Sequence, residues 1–389
     1  MYEFDAIIDR RGTNSIKWNV KDGELPMWVA DMDFRAAPEI LQALQARLDH
    51  GIFGYGDVTE DWYRAYQSWW QRRHGLTIEK DWLVFTTGVI PAISSSVRRL
   101  TAPGENVVIQ TPVYNVFYNS ILNNGRHVLE NPLVYENGTY RMDLEDLERK
   151  LSDPQTTLML LCNPHNPVGR IWERETLAAV GELCKKHHVR VLSDEIHCDI
   201  TLPGKGYVPF AAASETCKAL SVTAIAPTKC FNLAGLQTAA VCVPDPDLRH
   251  KIWRQLNTDE VGEPNAFAVC AAVAAFDKGE AWLDELCAYV AENRAFAAAY
   301  LAEHAPKLHV VPSEATYLMW VDISRVCPDS RAFANELREK TGLFVTPGEI
   351  YGQTGRGFLR INLACPRSLV ADGMQRLAGF AAGFETGSL

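Results

Sequence analysis

The sequence predicts an α/β protein, with a mostly parallel sheet covered on both faces by helices and joined to a smaller α+β domain. Two patterns carry that expectation. Short apolar runs alternate with amphipathic helical stretches from about residue 83 to residue 243, and long helices followed by mixed short elements fill the chain from about residue 264. The length adds a third observation, because 389 residues are more than one hydrophobic core ordinarily serves. The expected division is an N-terminal segment over 1–45 that belongs to the smaller domain, a large domain over 46–284 and the smaller domain over 285–389, with one long helix bridging the last boundary.

Taken in order, DWYRAYQSWWQRRH at 61–74 sets Trp62, Ala65, Tyr66, Trp69 and Trp70 on one helical face, and Gly75 follows as a stop. That face reads as an aromatic stripe packed in a core or a subunit interface. WLVFTTG at 82–88 is a strand running into a turn, and PAISSSVRRL at 91–100 a helix opened by Pro91. NVVIQ at 106–110 and TTLMLLCNP at 156–164 are strands, and ETLAAVGELCKKHH at 175–188 is an amphipathic helix. VRVLSDEIH at 189–197, ALSVTAIAPTK at 219–229 and TAAVCVP at 238–244 complete the strands, the second ending at a lysine. Helices follow over 265–279 and 281–305, then short strands over 309–323, a helix over 330–340, a turn-rich stretch over 346–357, the strand FLRINLA at 358–364 and a last helix. In such sheets ligands gather at the carboxyl ends of the strands, so the polar residues at those exits are the candidates.

Composition narrows the partners. Hydrophobic residues make up 47% of the chain and charged residues 22%, which suits a packed interior. The formal net charge of −10 argues against nucleic acid as principal partner. The basic clusters Arg72-Arg73-His74 and Lys185-Lys186-His187-His188 close helical patterns, where solvated helix ends account for them. The charged N-terminus lacks the apolar core of a signal peptide, and no apolar run reaches the roughly 18 residues of a membrane helix. The 10 cysteines include no CxxC pair and read as free thiols of a reducing compartment. The expectation is a soluble cytoplasmic protein.

Lys229 stands at an apolar strand exit, an unusual position for a residue seldom buried unpaired. Desolvation there favours the neutral, nucleophilic amine, although a surface lysine at a loop start is the alternative. Asp194 closes another buried strand, where an unpaired carboxylate is costly; a cationic ring nitrogen would offset that cost, and a helix cap is the rival use. Gly88-Val89-Ile90 before Pro91 aims free amides at an anion, or forms a tight turn with nothing bound. Thr228 adds a hydroxyl beside the lysine. Tyr114 in TPVYNVF offers a ring to stack on a flat ligand, or is a core aromatic. Asn166, between two prolines in NPHNPVGR, offers an amide donor or makes a simple turn. Arg360 in FLRINLA needs a partner, either a substrate carboxylate or an internal acid. These residue types match what pyridoxal phosphate requires: an amine for its aldehyde, an acid at its pyridine nitrogen, donors for its phosphate and an aromatic face. No metal set is visible, since His197 and Cys198 lack companions at ligand spacing. The glycines of GQTGRG follow no strand of a βαβ unit, so a dinucleotide site is not supported.

Together these segments resemble the fold-type I pyridoxal-phosphate enzymes of the aminotransferase class I/II superfamily, and within it the cystathionine β-lyase branch of MalY/PatB type. The likeness runs through PMWVADMDF at 26–34, FGYG at 53–56, TTGVIPAI at 86–93, TPVYNVF at 111–117, NPHNPVGR at 163–170, SDEIHCDI at 193–200, APTKCFNLAGL at 226–236 and RINLACP at 360–366. The resemblance implies a seven-stranded sheet in the large domain. It makes Lys229 the lysine that carries the cofactor as a Schiff base, Asp194 the pyridine partner, Asn166 the contact to the phenolic oxygen, Tyr114 the stacking ring and Arg360 the carboxylate anchor. It adds His197 to the cofactor contacts, Ala30 to the substrate contacts, and Tyr55 as a residue that reaches the phosphate of a neighbouring subunit in a homodimer. The DEIH form around His197 is typical of the lyase branch. Thr87, Cys230 and Ala226 depart from the common proline, threonine and serine, and no arginine matches near Gln237; these changes bear on the phosphate cup.

The activity implied is β-elimination from cystathionine or another cysteine S-conjugate, giving a thiol, pyruvate and ammonia, with Lys229 as base. An aminotransferase of the same superfamily is the alternative, and an additional role in binding a regulatory protein is a further one.

Overall fold

A computed structural model describes residues 2–384. The large sheet has seven strands: β1 (Leu83–Thr86), β2 (Asn106–Ile109), β3 (His127–Glu130), β4 (Thr156–Cys162), β5 (Arg190–Asp194), β6 (Ser221–Ile225) and β7 (Ala239–Cys242). Their order is β1-β7-β6-β5-β4-β2-β3. Only β7 runs antiparallel, to both of its neighbours, and the remaining pairs are parallel. Strands β4, β5 and β6 are buried nearly throughout, as continuous apolar runs must be when helices cover both faces.

Helix α1 (Pro38–His50) and helix α2 (Glu60–His74) precede the sheet. The expected stripe of α2 is the buried one, with Trp62, Ala65, Tyr66, Trp69 and Trp70 all inside. Gly75 ends α2 at φ 64°, its amide bonded to the Trp70 carbonyl. Helix α3 spans Val89–Leu100, so it opens two residues before Pro91. A proline fits there because the first-turn amides have no intrahelical acceptor to lose. Strand β6 likewise stops at Ile225, and Lys229 stands beyond it in a turn closed by the Phe231 amide on the Pro227 carbonyl at 3.0 Å.

A second sheet is antiparallel, with β8 (His309–Val310), β9 (Leu318–Asp322), β10 (Thr346–Pro347) and β11 (Phe358–Asn362) in the order β8-β9-β11-β10. The two-residue period of β11 sends Leu359 and Ile361 into a core with Met319 and Val321, which leaves Arg360 on the other face. Helix α4 (Glu280–His304) serves two cores. Trp282, Leu283, Leu286 and Val290 pack with the α2 stripe, whereas Ala297 and Leu301 pack under the second sheet. From the N-terminal segment, Leu25–Pro26 pairs with Leu343–Phe344, and Met27 joins that second core.

All ten cysteines are free, and eight of them are buried. Among the described residues no helix is long and apolar enough to cross a membrane.

Candidate functional site

The carboxyl ends of the central strands and the start of α3 enclose a cavity of about 280 Å³. Most of the residues singled out in the sequence meet there. Gly88, Val89 and Ile90 form one wall, Tyr114 and Asn166 a second, and Asp194, His197, Thr228 and Lys229 a third, with Ala30 of the N-terminal segment at the rim. Arg360 stands just behind the lining, bonded to Asn166, and Tyr55 lies apart from it. Tyr55 is 104% exposed and does not line the cavity of its own chain.

Asp194 is the last residue of β5 and is 4% exposed. Burial pushes its carboxyl up to about 6, against the pull of the Ile196 amide, which donates to Oδ1 at 3.2 Å, and of Lys229. Lys229 shifts the other way, down to about 8, through burial and repulsion by Arg360, opposed by Asp31 and Asp194. Its Nζ donates to the Ala30 carbonyl at 2.6 Å. The Tyr317 hydroxyl donates to that same oxygen at 2.9 Å. Glu195 turns away from the cavity, as alternation along the chain requires, and takes bonds from Ser193 Oγ at 2.8 Å, the Phe210 amide at 2.9 Å and the Tyr207 hydroxyl.

Arg360 reaches across from the second sheet. It donates to Asn166 Oδ1 at 3.2 Å and to the Trp28 carbonyl at 3.1 Å, and its guanidinium lies 4.8 Å from the Tyr351 ring centroid. A guanidinium only donates, so the Asn166 atom facing it is the oxygen, and the amide NH2 of Asn166 is left to serve as donor elsewhere. Arg360 Nε and His197 Nδ1 are buried without a partner. Burial together with the charges of Lys229 and Arg360 holds the His197 imidazole down to about 3, hence neutral. Tyr114 is raised by burial, against the pull of Arg360, and stays a phenol.

Gly88 caps α3 at φ 172°, a conformation open to any residue. An added Cβ would stand 3.2 Å from Pro91 Cδ, a tight contact within the first turn, whose free amides face an approaching anion. Thr87 and Gln237 also line the cavity, at the positions that depart from the family pattern.

Nothing in the local sequence marks Tyr317 or Tyr351, and Trp28, within PMWVADMDF, contributes a backbone carbonyl that its side chain does not announce. No companion ligands were expected for His197 and Cys198, but Cys198 has them: Asp199 follows it in the chain and His74 meets both in space.

The sequence profile described as aminotransferase class I and II matches residues 27–377. The chain belongs to the aminotransferase class I and II family. A relative in that family, cystathionine beta-lyase PatB of Bacillus subtilis, is 45% identical over 381 residues, covering 96% of this chain and 98% of its own. Protein MalY of Escherichia coli is 33% identical over 385 residues, covering 97% and 98%. The crystal structure of cystalysin from Treponema denticola, which contains pyridoxal 5′-phosphate, superposes with a TM-score of 0.95 at 31% identity, covering 99% of this chain and all of that one. The class I and II fold therefore accounts for the sheet order seen here.

The residues present fit that cofactor. The cavity offers an amine of lowered pKa, a buried carboxylate raised by burial, the start of α3 at Gly88 and a buried His197 Nδ1 without a partner, with a second such nitrogen, Arg360 Nε, close behind it.

Proposed function

We propose that this chain is a pyridoxal-phosphate-dependent carbon–sulfur β-lyase that cleaves cystathionine or a related cysteine S-conjugate to a thiol, pyruvate and ammonia. The observation that carries the reading is the meeting of Lys229 and Asp194 in one cavity, with Arg360 bonded to Asn166 of its lining. The 45% identity to a cystathionine beta-lyase supports the lyase over an aminotransferase.

Bound there, pyridoxal phosphate supplies an electron sink conjugated to the substrate's α-carbon. Asp194, at a strand end in the cavity, would pair with the pyridine nitrogen and hold a proton there. The Asn166 NH2 would donate to the cofactor's phenolic oxygen, the Tyr114 ring would pack on it, and the amides of Gly88, Val89 and Ile90 with the Thr228 hydroxyl would hold its phosphate. The His197 imidazole, neutral at working pH, packs at the cofactor without adding charge. Arg360 takes the substrate carboxylate in two-point fashion, aligned by Asn166 and the Trp28 carbonyl and seated on Tyr351. Lys229 Nζ, once free, removes the α-proton. The departing sulfur takes a proton from Lys229 or from the Tyr114 phenol. The Ala30 carbonyl borders the substrate and receives the Lys229 amine between these roles.

The assay is release of pyruvate from cystathionine by the purified protein. Transamination of a keto acid with no pyruvate formed would overturn the lyase assignment. Arg360→Lys keeps the charge and loses the fork, so kcat/KM is expected to fall about 10- to 100-fold, mostly through KM. A fall confined to kcat would remove Arg360 from the carboxylate.

The reading includes a homodimer. Ile52, Phe53 and Tyr55 are 66%, 52% and 104% exposed in a single copy, which suits a segment that inserts into a partner copy and brings Tyr55 to its phosphate. Sedimentation is expected to give a dimer. Tyr55→Phe is expected to weaken retention of the cofactor on gel filtration, and a stable monomer with full activity would sink this part. The division near residue 285 belongs to the same reading, supported by the two cores along α4.

A further inference from the structure

We propose that His74, Cys198 and Asp199 form a binding site for a thiophilic divalent cation of the Zn2+ type, separate from the cofactor cavity. The three residues come from the last position of α2 and from the turn beyond β5. His74 Nε2, Cys198 Sγ and a carboxylate oxygen of Asp199 all lie within 4.8 Å of one another. Tetrahedral Zn2+ ligands at about 2.0–2.3 Å from the ion stand about 3.3–3.8 Å apart, so a side-chain adjustment of about an ångström closes the set.

The two oxygens of Asp199 are unequally used. Oδ1 takes Trp69 Nε1 at 2.9 Å and His74 Nε2 at 2.9 Å. Oδ2 has only thiols, Cys198 at 3.6 Å and Cys230 at 3.7 Å, which are weak donors. The His74 and Asp199 side chains are 6% and 1% exposed, so a polar ligand here replaces poor bonds rather than water. Charge balances as well: one carboxylate and one thiolate neutralise a divalent cation, while His74 Nε2 gives up its bond to Asp199 Oδ1 and ligates through its lone pair, its proton moving to Nδ1. On binding, the Sγ–H proton leaves to solvent as the metal–sulfur bond forms.

The three residues also line a cavity of about 330 Å³, which gives an ion a way in and leaves the fourth position for water. Its basic side chains are engaged by acids: Arg72 and Arg73 share Glu280 at 3.4 Å each, Arg73 also pairs with Asp284 at 2.7 Å, and Lys205 pairs at 3.3 Å with Glu314, which Arg170 shares. Cys198 adjoins His197 of the cofactor cavity, so an ion here ties the end of α2 to the turn that carries His197.

The test is titration of the cofactor-loaded protein, first stripped with a chelator, with Co2+. The expected result is one equivalent bound, with ligand-field bands of tetrahedral strength in the red, a thiolate charge-transfer band in the near ultraviolet, and loss of both on adding Zn2+. Cys198→Ser is expected to lose the charge-transfer band and His74→Ala to bind Co2+ more weakly. Cys270→Ser, a half-buried thiol elsewhere, is expected to leave the spectrum unchanged. The cofactor's near-visible absorption reports that each variant is folded, and if Cys198→Ser loses it, His74→Ala decides alone. A wild-type spectrum of weak octahedral type, a charge-transfer band that survives in Cys198→Ser, or undiminished binding by His74→Ala each overturns the site.

Discussion

Lys229→Ala is expected to lower turnover of cystathionine by at least about 10³-fold and to leave a protein from which borohydride fixes no cofactor. Both losses have one cause. Among the described residues Lys229 is the only lysine lining the cavity, and burial with Arg360 nearby brings its amine down to about 8. The sign of the shift gives a second readout. A lowered value makes the neutral amine dominant above about pH 8, so capture of pyridoxal phosphate by cofactor-free protein is expected to accelerate as pH rises towards 8 and to level off beyond it. Capture that keeps rising towards pH 10 would mean the amine is not held in this environment. Retained turnover in Lys229→Ala would sink the proposed base.

Asp194→Asn is expected to separate stability from catalysis. The folded carboxyl, at about 6, lies above the usual unfolded value near 4. The cofactor-free fold therefore binds the proton more tightly than the unfolded chain, and its stability falls as pH rises through that window. At pH 7 the bare buried carboxylate costs up to about 3 kcal/mol, which asparagine removes while its side-chain oxygen can still accept from the Ile196 amide. Cofactor-free Asp194→Asn is thus expected to melt higher than wild type at pH 7, by a margin that disappears near pH 4. Once loaded with cofactor the order reverses in function: without a carboxylate the pyridine nitrogen loses its proton, and kcat is expected to fall about 10²- to 10³-fold. Equal melting of the two cofactor-free proteins at pH 7 would show that Asp194 is not held as an uncompensated charge.

Much of this was legible in the sequence because it is local. An apolar strand that ends in Asp194, a lysine beyond another such strand, and an arginine alternating with Leu359 and Ile361 announce their positions through periodicity alone. The α2 stripe is of the same kind, each of its five residues set by helical spacing. What the sequence hid is what tertiary folding brings together. Tyr317 and Lys229 share the Ala30 carbonyl, although these residues lie far apart along the chain and a backbone oxygen carries no sequence signal. His74 meets Cys198 and Asp199 across more than a hundred residues, so ligand spacing could not reveal them. Boundaries slipped where a backbone rule overrode composition: Gly88 rather than Pro91 opens α3, and the turn at Pro227 ends a strand that apolar residues would have extended.

Helix α4 bears on how the molecule comes apart. Its first half fills one core and its second half another, so neither core can melt while the helix stays whole. Heating is expected to give a single cooperative transition rather than two. A chain cut at residue 285 would leave Trp282 and Leu283 in place but strip Leu286 and Val290 from the same interior, and the severed large portion is expected to aggregate rather than fold alone.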